Sequence, residues 1–155
     1  MTEHNIPNVH NPEEVARMEK ELRYIADIIK QQGRRILSNY TITPPQFIAL
    51  QWLFEHGDMT IGDLSNKMYL AFSTTTDLVD RMESNHLVKR VRDQQDRRVV
   101  RINLLSEGER VIEEVIDKRR EYLNSVLANF EEKEVKELSY LLIKLHEEMK
   151  EDLRD

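Results

Sequence analysis

Cysteine is absent from the 155 residues, so disulfides, thiolate metal sites and cysteine-based redox sensing are all excluded. Glycine and proline are scarce, with 4 of each, which suits a helix-rich chain with few turns. No run of about 18 apolar residues exists to span a bilayer, and the N-terminus, rich in Asn, Pro and His, lacks the apolar core of a secretion signal. These absences place the chain in the cytoplasm with no membrane partner. Catalytic signatures are missing as well: no Ser, His and Asp grouping and no glycine-rich phosphate loop stands out, and the carboxylates read as solvated helix faces. The histidines His4, His10, His56, His86 and His146 contain no helical i, i+4 pair, so no metal site and no cofactor is expected.

Apolar residues make up 39% and charged residues 34% of the chain, a balance that suits one domain able to bury a core. The net charge of −6 argues at first against a polyanionic partner. Its distribution reverses that argument. Between His86 and Arg101 six cations (Lys89, Arg90, Arg92, Arg97, Arg98 and Arg101) face two carboxylates, Asp93 and Asp96, for a local +4. From Glu107 to the end, 15 acidic residues outnumber 9 basic ones. Screening over about 8 to 10 Å lets a basic patch meet phosphate while the acidic region stays out of range.

Periodicity organises the rest. Residues Met1 to Asn11 carry no pattern and read as a flexible arm. Asn11 caps a helix that opens on Pro12, Glu13 and Glu14 and carries an apolar stripe through Val15, Met18, Leu22, Ile25, Ile29 and Ile36 to about Leu37. Thr43, with Pro44 and Pro45, opens a second, mostly core helix of Phe47, Ile48, Leu50, Leu53 and Phe54, ended by Gly57. Thr60 caps a short third helix with Ile61, Leu64 and Met68 on one face. A fourth helix runs from Ala71 or Ser73 to Asn85, apolar through Thr75, Leu78, Val79 and Met82, with Ser73, Thr74, Thr76, Asp77, Asp80 and Arg81 opposite. Strand character follows over Leu87 to Val91 and Val99 to Leu104, joined by a seven-residue polar connector, Arg92 to Arg98, long for a hairpin and suited to reaching for a ligand. Helices from Ser106 to Phe130 and Glu132 to Leu153 complete the chain. The long first and last helices need a partner for their stripes, and a second copy is the obvious one.

Helix, turn, helix and hairpin in that order point to double-stranded DNA. The small hydroxyls of the fourth helix suit a major groove, donating to or accepting from phosphate and base edges. In the connector, Asp96 can orient one of Arg97 and Arg98 while the other enters a minor groove. Lys89 and Arg90 fit contacts to backbone phosphate. The bland alternatives are an idle polar helix face and an idle charged hairpin tip.

Leu78 to Glu83 (apolar-Val-Asp-Arg-apolar-Glu), Asp96 to Arg98 (Asp-Arg-Arg) and Leu105 to Gly108 (apolar-Ser-x-Gly) together resemble the winged helix-turn-helix of MarR-type transcription factors, as does the Thr43 to Gln46 helix start. The likeness covers nearly the whole chain. It implies a mainly α (α+β) winged helix-turn-helix with long N- and C-terminal dimerisation helices. Its parts are an arm and dimerisation helix over 1–37, a DNA-binding lobe over 43–105 and dimerisation helices over 106–155. It further implies a homodimer, a repressor by preference, on a palindromic operator. Recognition residues map to Ser73, Thr74, Thr76, Asp77 and Arg81, and wing residues to Arg92, Asp96, Arg97 and Arg98. Many members respond to small aromatic or phenolic molecules, for which Tyr24, Tyr40, Trp52 and Tyr69 are the candidate pocket, against a plain core role. Two positions depart from the pattern. Tyr69 replaces the usual turn glycine, so a reshaped turn is expected, and Ala71 replaces the Ser or Thr cap, moving the expected helix start toward Ser73. The alternative function is a winged-helix scaffold for protein assembly that uses the acidic helices.

Overall fold

Asn11 begins the first helix of the computed structural model, which describes residues 9–153. The arm expected over Met1 to Asn11, with His4, thus falls mostly outside the described residues. The Asn11 side chain accepts from the Glu13 amide at 2.9 Å, and α1 runs Pro12–Leu37 with acidic residues in its first turn and Arg34 and Arg35 in its last. That arrangement complements the helix dipole at both ends. A reciprocal capping box starts α2 (Pro44–His56): the Gln46 amide donates to Thr43 Oγ1 and the Thr43 amide to Gln46 Oε1. Gly57 stops it at φ 80°, ψ −162°, a conformation essentially closed to residues with a Cβ.

A two-residue strand, β1 (Met59–Thr60), leads into α3 (Ile61–Met68), capped by Thr60 Oγ1 accepting from the Asp63 amide at 3.0 Å. Next come α4 (Phe72–Ser84), β2 (Val88–Arg92) and β3 (Val100–Leu104), then α5 (Ser106–Val126), a 3-10 turn over Leu127–Asn129 and α6 (Glu132–Asp152). The sheet is antiparallel in the order β1-β3-β2, with Met59 opposite Ile102 and Arg92 opposite Val100. The strands therefore match expectation within a residue, whereas β1 is an addition. Helix α5 stops short of Phe130 because its last residues tighten into the 3-10 turn.

Two expectations about the turn residues are corrected. Tyr69 holds the left-handed conformation itself, at φ 54°, ψ 41°, and the turn is not reshaped. Its amide donates to Asn66 O and the Leu70 amide to Ser65 O, the paired bonds of a Schellman ending that satisfy two orphan carbonyls. Nor does the helix start retreat to Ser73: α4 begins at Phe72 with Ala71 as a cap that offers no side-chain acceptor. A second Schellman ending closes α4, where His86 sits at φ 60° and the amides of His86 and Leu87 donate to Glu83 O and Met82 O.

The chain divides into two compact units, Met1–Val115 and Ile116–Asp155. The first contains the core: Phe47, Leu50 and Leu53 of α2, Leu64 of α3, Val79 and Met82 of α4, Val88 and Ile102 of the sheet, and Val111, Ile112 and Val115 of α5 are all buried. Ile48 and Phe54, expected in that core, lie at its edge and remain exposed. Along α1 only Leu37 is buried, so Met18, Ile25 and Ile29 stand at about half exposure or more. In the second unit, α6 has no buried residue, and Leu141, Leu142 and Met149 are likewise exposed.

Candidate nucleic-acid interface

Helix α4 is anchored by Thr75, Leu78, Val79 and Met82, all buried as the 3.6-residue period requires. Thr75 makes its burial tolerable by donating its hydroxyl to Ala71 O at 3.0 Å. The opposite face carries Ser73, Thr74, Asp77 and Arg81 into solvent, with Thr76 half-buried and its hydroxyl on Phe72 O. One flank of this face meets α2, where Thr74, Asp77 and Arg81 line a cleft with Thr43, Pro45 and Gln46. The other flank meets the hairpin, where Phe72 lines a second cleft with Ile61, Gly62, Arg98, Val99 and Val100. Both flanks stay open to solvent.

The hairpin connector is built by its own carboxylates. Asp93 Oδ1 accepts from the amides of Gln95 and Asp96, and its Oδ2 accepts from Arg101 Nε at 3.0 Å. The backbone N–H of Gln95, then the Arg101 guanidinium, hold its carboxyl below the usual range. Asp96 accepts from the Arg98 amide and from Nε and Nη2 of the same side chain, so Arg98 keeps it ionised too. Exposed pairs of this kind contribute little stability. Their effect is geometric: a seven-residue loop acquires a fixed shape, with the Arg98 side chain 91% exposed yet held by two bonds. Arg97 is also exposed, and its carbonyl accepts from Arg92 Nη1 at 3.4 Å while its own guanidinium makes no ion pair among the described residues. Asp96 thus holds Arg98, the neighbour of Arg97.

Family comparison identifies this architecture. The MarR family model matches residues 42–100. Over 138 residues the chain is 63% identical to the uncharacterised HTH-type transcriptional regulator YsmB of Bacillus subtilis, spanning 89% of this chain and 94% of that one. A solved MarR family protein from Bacillus stearothermophilus aligns with a TM-score of 0.87 at 62% identity, over 91% of this chain and 99% of its own. The chain belongs to the MarR family. At 18% identity the likeness to Streptococcus pneumoniae FabT, solved in complex with DNA, concerns the fold alone, with a TM-score of 0.76 over 88% of this chain and 98% of FabT. This MarR-type transcriptional regulator therefore carries the family's winged-helix DNA-binding fold, with α4 as the second helix of the helix-turn-helix and the β2-β3 hairpin as the wing.

Within that frame several site residues have roles the sequence did not expose. Arg90, expected on backbone phosphate, commits its guanidinium to Asp80 and Glu83 of α4, and its amide also donates to Glu83 at 2.8 Å. It braces β2 against α4. Lys89, its neighbour, points into solvent. Arg101 and Asp93 tie β3 to the base of the wing through their ion pair. The only sequence signal for the brace is the pair of carboxylates three residues apart at the end of α4, followed by a basic strand.

The four aromatics expected to line an effector pocket sit on α1, the α1-α2 connection, α2 and the turn after α3. Tyr24 is exposed on α1 beneath Lys20, and Tyr40 donates its hydroxyl to Glu114 at 2.8 Å. Trp52 stacks on His56 with ring centroids 5.1 Å apart and Lys67 over its face, and Tyr69 projects from the turn at 87% exposure. None of them lines the clefts beside α4 or the wing.

Proposed function

We propose that the chain acts as a homodimer that represses transcription by binding a palindromic operator in double-stranded DNA. Each copy would lay Ser73, Thr74, Thr76, Asp77 and Arg81 of α4 along a major groove and reach with the wing to the neighbouring minor groove. The observation that carries the reading is the uncommitted guanidinium of Arg97 on a loop whose shape Asp93 and Asp96 fix, beside the open hydroxyl face of α4. Arg92 and Lys89 add phosphate-seeking charge, whereas Arg90 serves as a brace. The apolar stripe of α1 and, separately, that of α6 support self-association, since exposed apolar surface on this scale is rare in a lone chain. A small aromatic effector bound near Tyr24, Tyr40, Trp52 or Tyr69 would release the operator.

Salt dependence provides the test. The slope of log affinity against log salt reports the phosphates neutralised, at about 0.9 per contact. Arg97→Ala should lower its magnitude by about 1 per copy, about 2 for the dimer, and weaken binding evenly across sequences. An unchanged slope would remove the wing from the interface. Selection of bound genomic fragments separates this reading from a protein scaffold, which would enrich no sequence, and sedimentation of a lone chain would sink the dimer.

A further inference from the structure

Phe72 is the first residue of the recognition helix, and its ring is 62% exposed in a chain where only 6% of residues are aromatic. A lone exposed apolar residue needs no explanation, but this one is not alone. Ile61, Val99 and Val100 lie around the same cleft, with Gly62 contributing no side chain to fill it and Arg98 present at its wall. An apolar recess with the Arg98 side chain beside it therefore sits between the two elements that the proposed function brings to DNA.

Position on the helix makes the ring part of the reading surface. At 100° per residue Phe72 stands one turn below Thr76 on the wing side of α4, adjacent to the exposed Ser73. The apolar feature a duplex offers in its major groove is the C5-methyl group of thymine, and a phenyl ring is a recognised partner for it. Cations of the wing on one side and hydroxyls of α4 on the other match a groove lined by phosphate and base edges, which makes DNA the occupant that suits the patch.

Resting on the DNA-binding reading above, we infer that Phe72 is a specificity-determining residue that selects thymine at one position of each half-site through its 5-methyl group. The hydroxyls can be satisfied by any of several base edges. The ring cannot: a pyrimidine without the methyl leaves it facing a gap.

The test replaces thymine by uracil, which deletes the methyl and keeps every hydrogen bond. Operator fragments are first selected with the full chain, then each thymine is replaced singly and affinity is measured by fluorescence anisotropy. Burying one methyl group corresponds to about a fourfold preference. The full chain should lose about three- to tenfold at one thymine of each half-site, Phe72→Ala should bind thymine and uracil there alike, and Phe72→Leu should retain part of the difference. Equal binding of uracil and thymine at every position, or an undiminished uracil penalty in Phe72→Ala, overturns the inference. Failure of the full chain to retain any fragment would instead overturn DNA binding itself. Because the ring is exposed, the fold of both variants should survive, and matching thermal melts confirm that the comparison concerns recognition.

Discussion

Gly108 sits where α5 packs closely on the winged lobe. A Cβ placed there would lie 2.3 Å from the Leu87 carbonyl oxygen, 3.2 Å from its carbon and 2.7 Å from Leu104 Cδ1. The leucine side chain could rotate away, but the carbonyl cannot. It is tied by the Leu105 amide at 2.9 Å, and it belongs to the residue whose own amide completes the Schellman ending of α4. Moving it about 1 Å would disturb that ending and the entry to β2, where Val88 is fully buried. Overpacking a core costs about 1 to 3 kcal/mol when side chains can adjust, and a backbone obstacle places Gly108→Ala at the upper end, about 3 kcal/mol. At about 2 to 4 °C per kcal/mol for a chain of this size, the melting temperature should fall by about 6 to 12 °C. Circular dichroism melts at one fixed protein concentration are the assay, because the proposed self-association would make the midpoint depend on concentration. Gly62→Ala is the control. Its Cβ would meet nothing nearer than Thr60 Oγ1 at 3.8 Å, so the same chemical change there should be neutral or stabilising by up to about 1 kcal/mol. A Gly108→Ala protein melting within about 2 °C of its parent would refute the close approach on which the estimate rests.

Two further outcomes are expected. His86 holds a left-handed conformation at φ 60° with an exposed side chain, so His86→Gly should relieve about 1 kcal/mol and raise the melting temperature by about 2 to 4 °C; a lower melting point would mean that the imidazole has a role its exposure conceals. Asp93 and Asp96 are both lowered from an ordinary value of 3.8, so their contribution to wing order is complete above that pH and is lost as pH falls through the still lower folded values. Amide chemical shifts of Gln95, Asp96 and Arg98 should therefore hold steady from pH 7 down to about 4.5, and a transition between about pH 6 and 5 would contradict the carboxylate anchoring.

The parts of this fold that could be read in advance are those whose causes are local. Asn11 before Pro12, the Thr43 to Gln46 box and Gly57 each satisfy or end a helix through groups within four residues, so composition and spacing reveal them. The buried face of α4 was legible for the same reason, since its period is a property of one helix. Strand β1 was not, because two residues carry no periodicity and acquire strand geometry only by pairing with Ile102 and Arg101. The left-handed residues show a subtler failure. Propensity disfavours Tyr69 and His86 there, but the paired bonds back to the helix outweigh it, and at His86 the buried residues Met82 and Leu87 hold both ends of the turn. Arg90 illustrates the limit at the site. Its charge is plain in the sequence, yet whether it faces DNA or Asp80 depends on β2 running beside α4.

Charge accounting settles how an acidic chain can present a cationic edge. Some of the helical acids pair with a cation one turn away, as in Arg23 with Glu19, Arg110 with Glu107 and Glu114, and Lys136 with Glu132. In the segment from His86 to Arg101 the same principle removes three of the six cations: Arg90 is matched by Asp80 and Glu83, Arg98 by Asp96, and Arg101 by Asp93. What remains outward is Lys89, Arg92 and Arg97, which make no ion pair among the described residues and lie on β2 and the wing. Fields from exposed charges die away over about 8 Å at physiological salt, so a phosphate beside the wing responds to these three and hardly to the net charge of −6. In the proposed complex the carboxylates of the wing would thus not weaken its attraction for DNA so much as select which guanidinium groups deliver it, leaving Arg92 and Arg97.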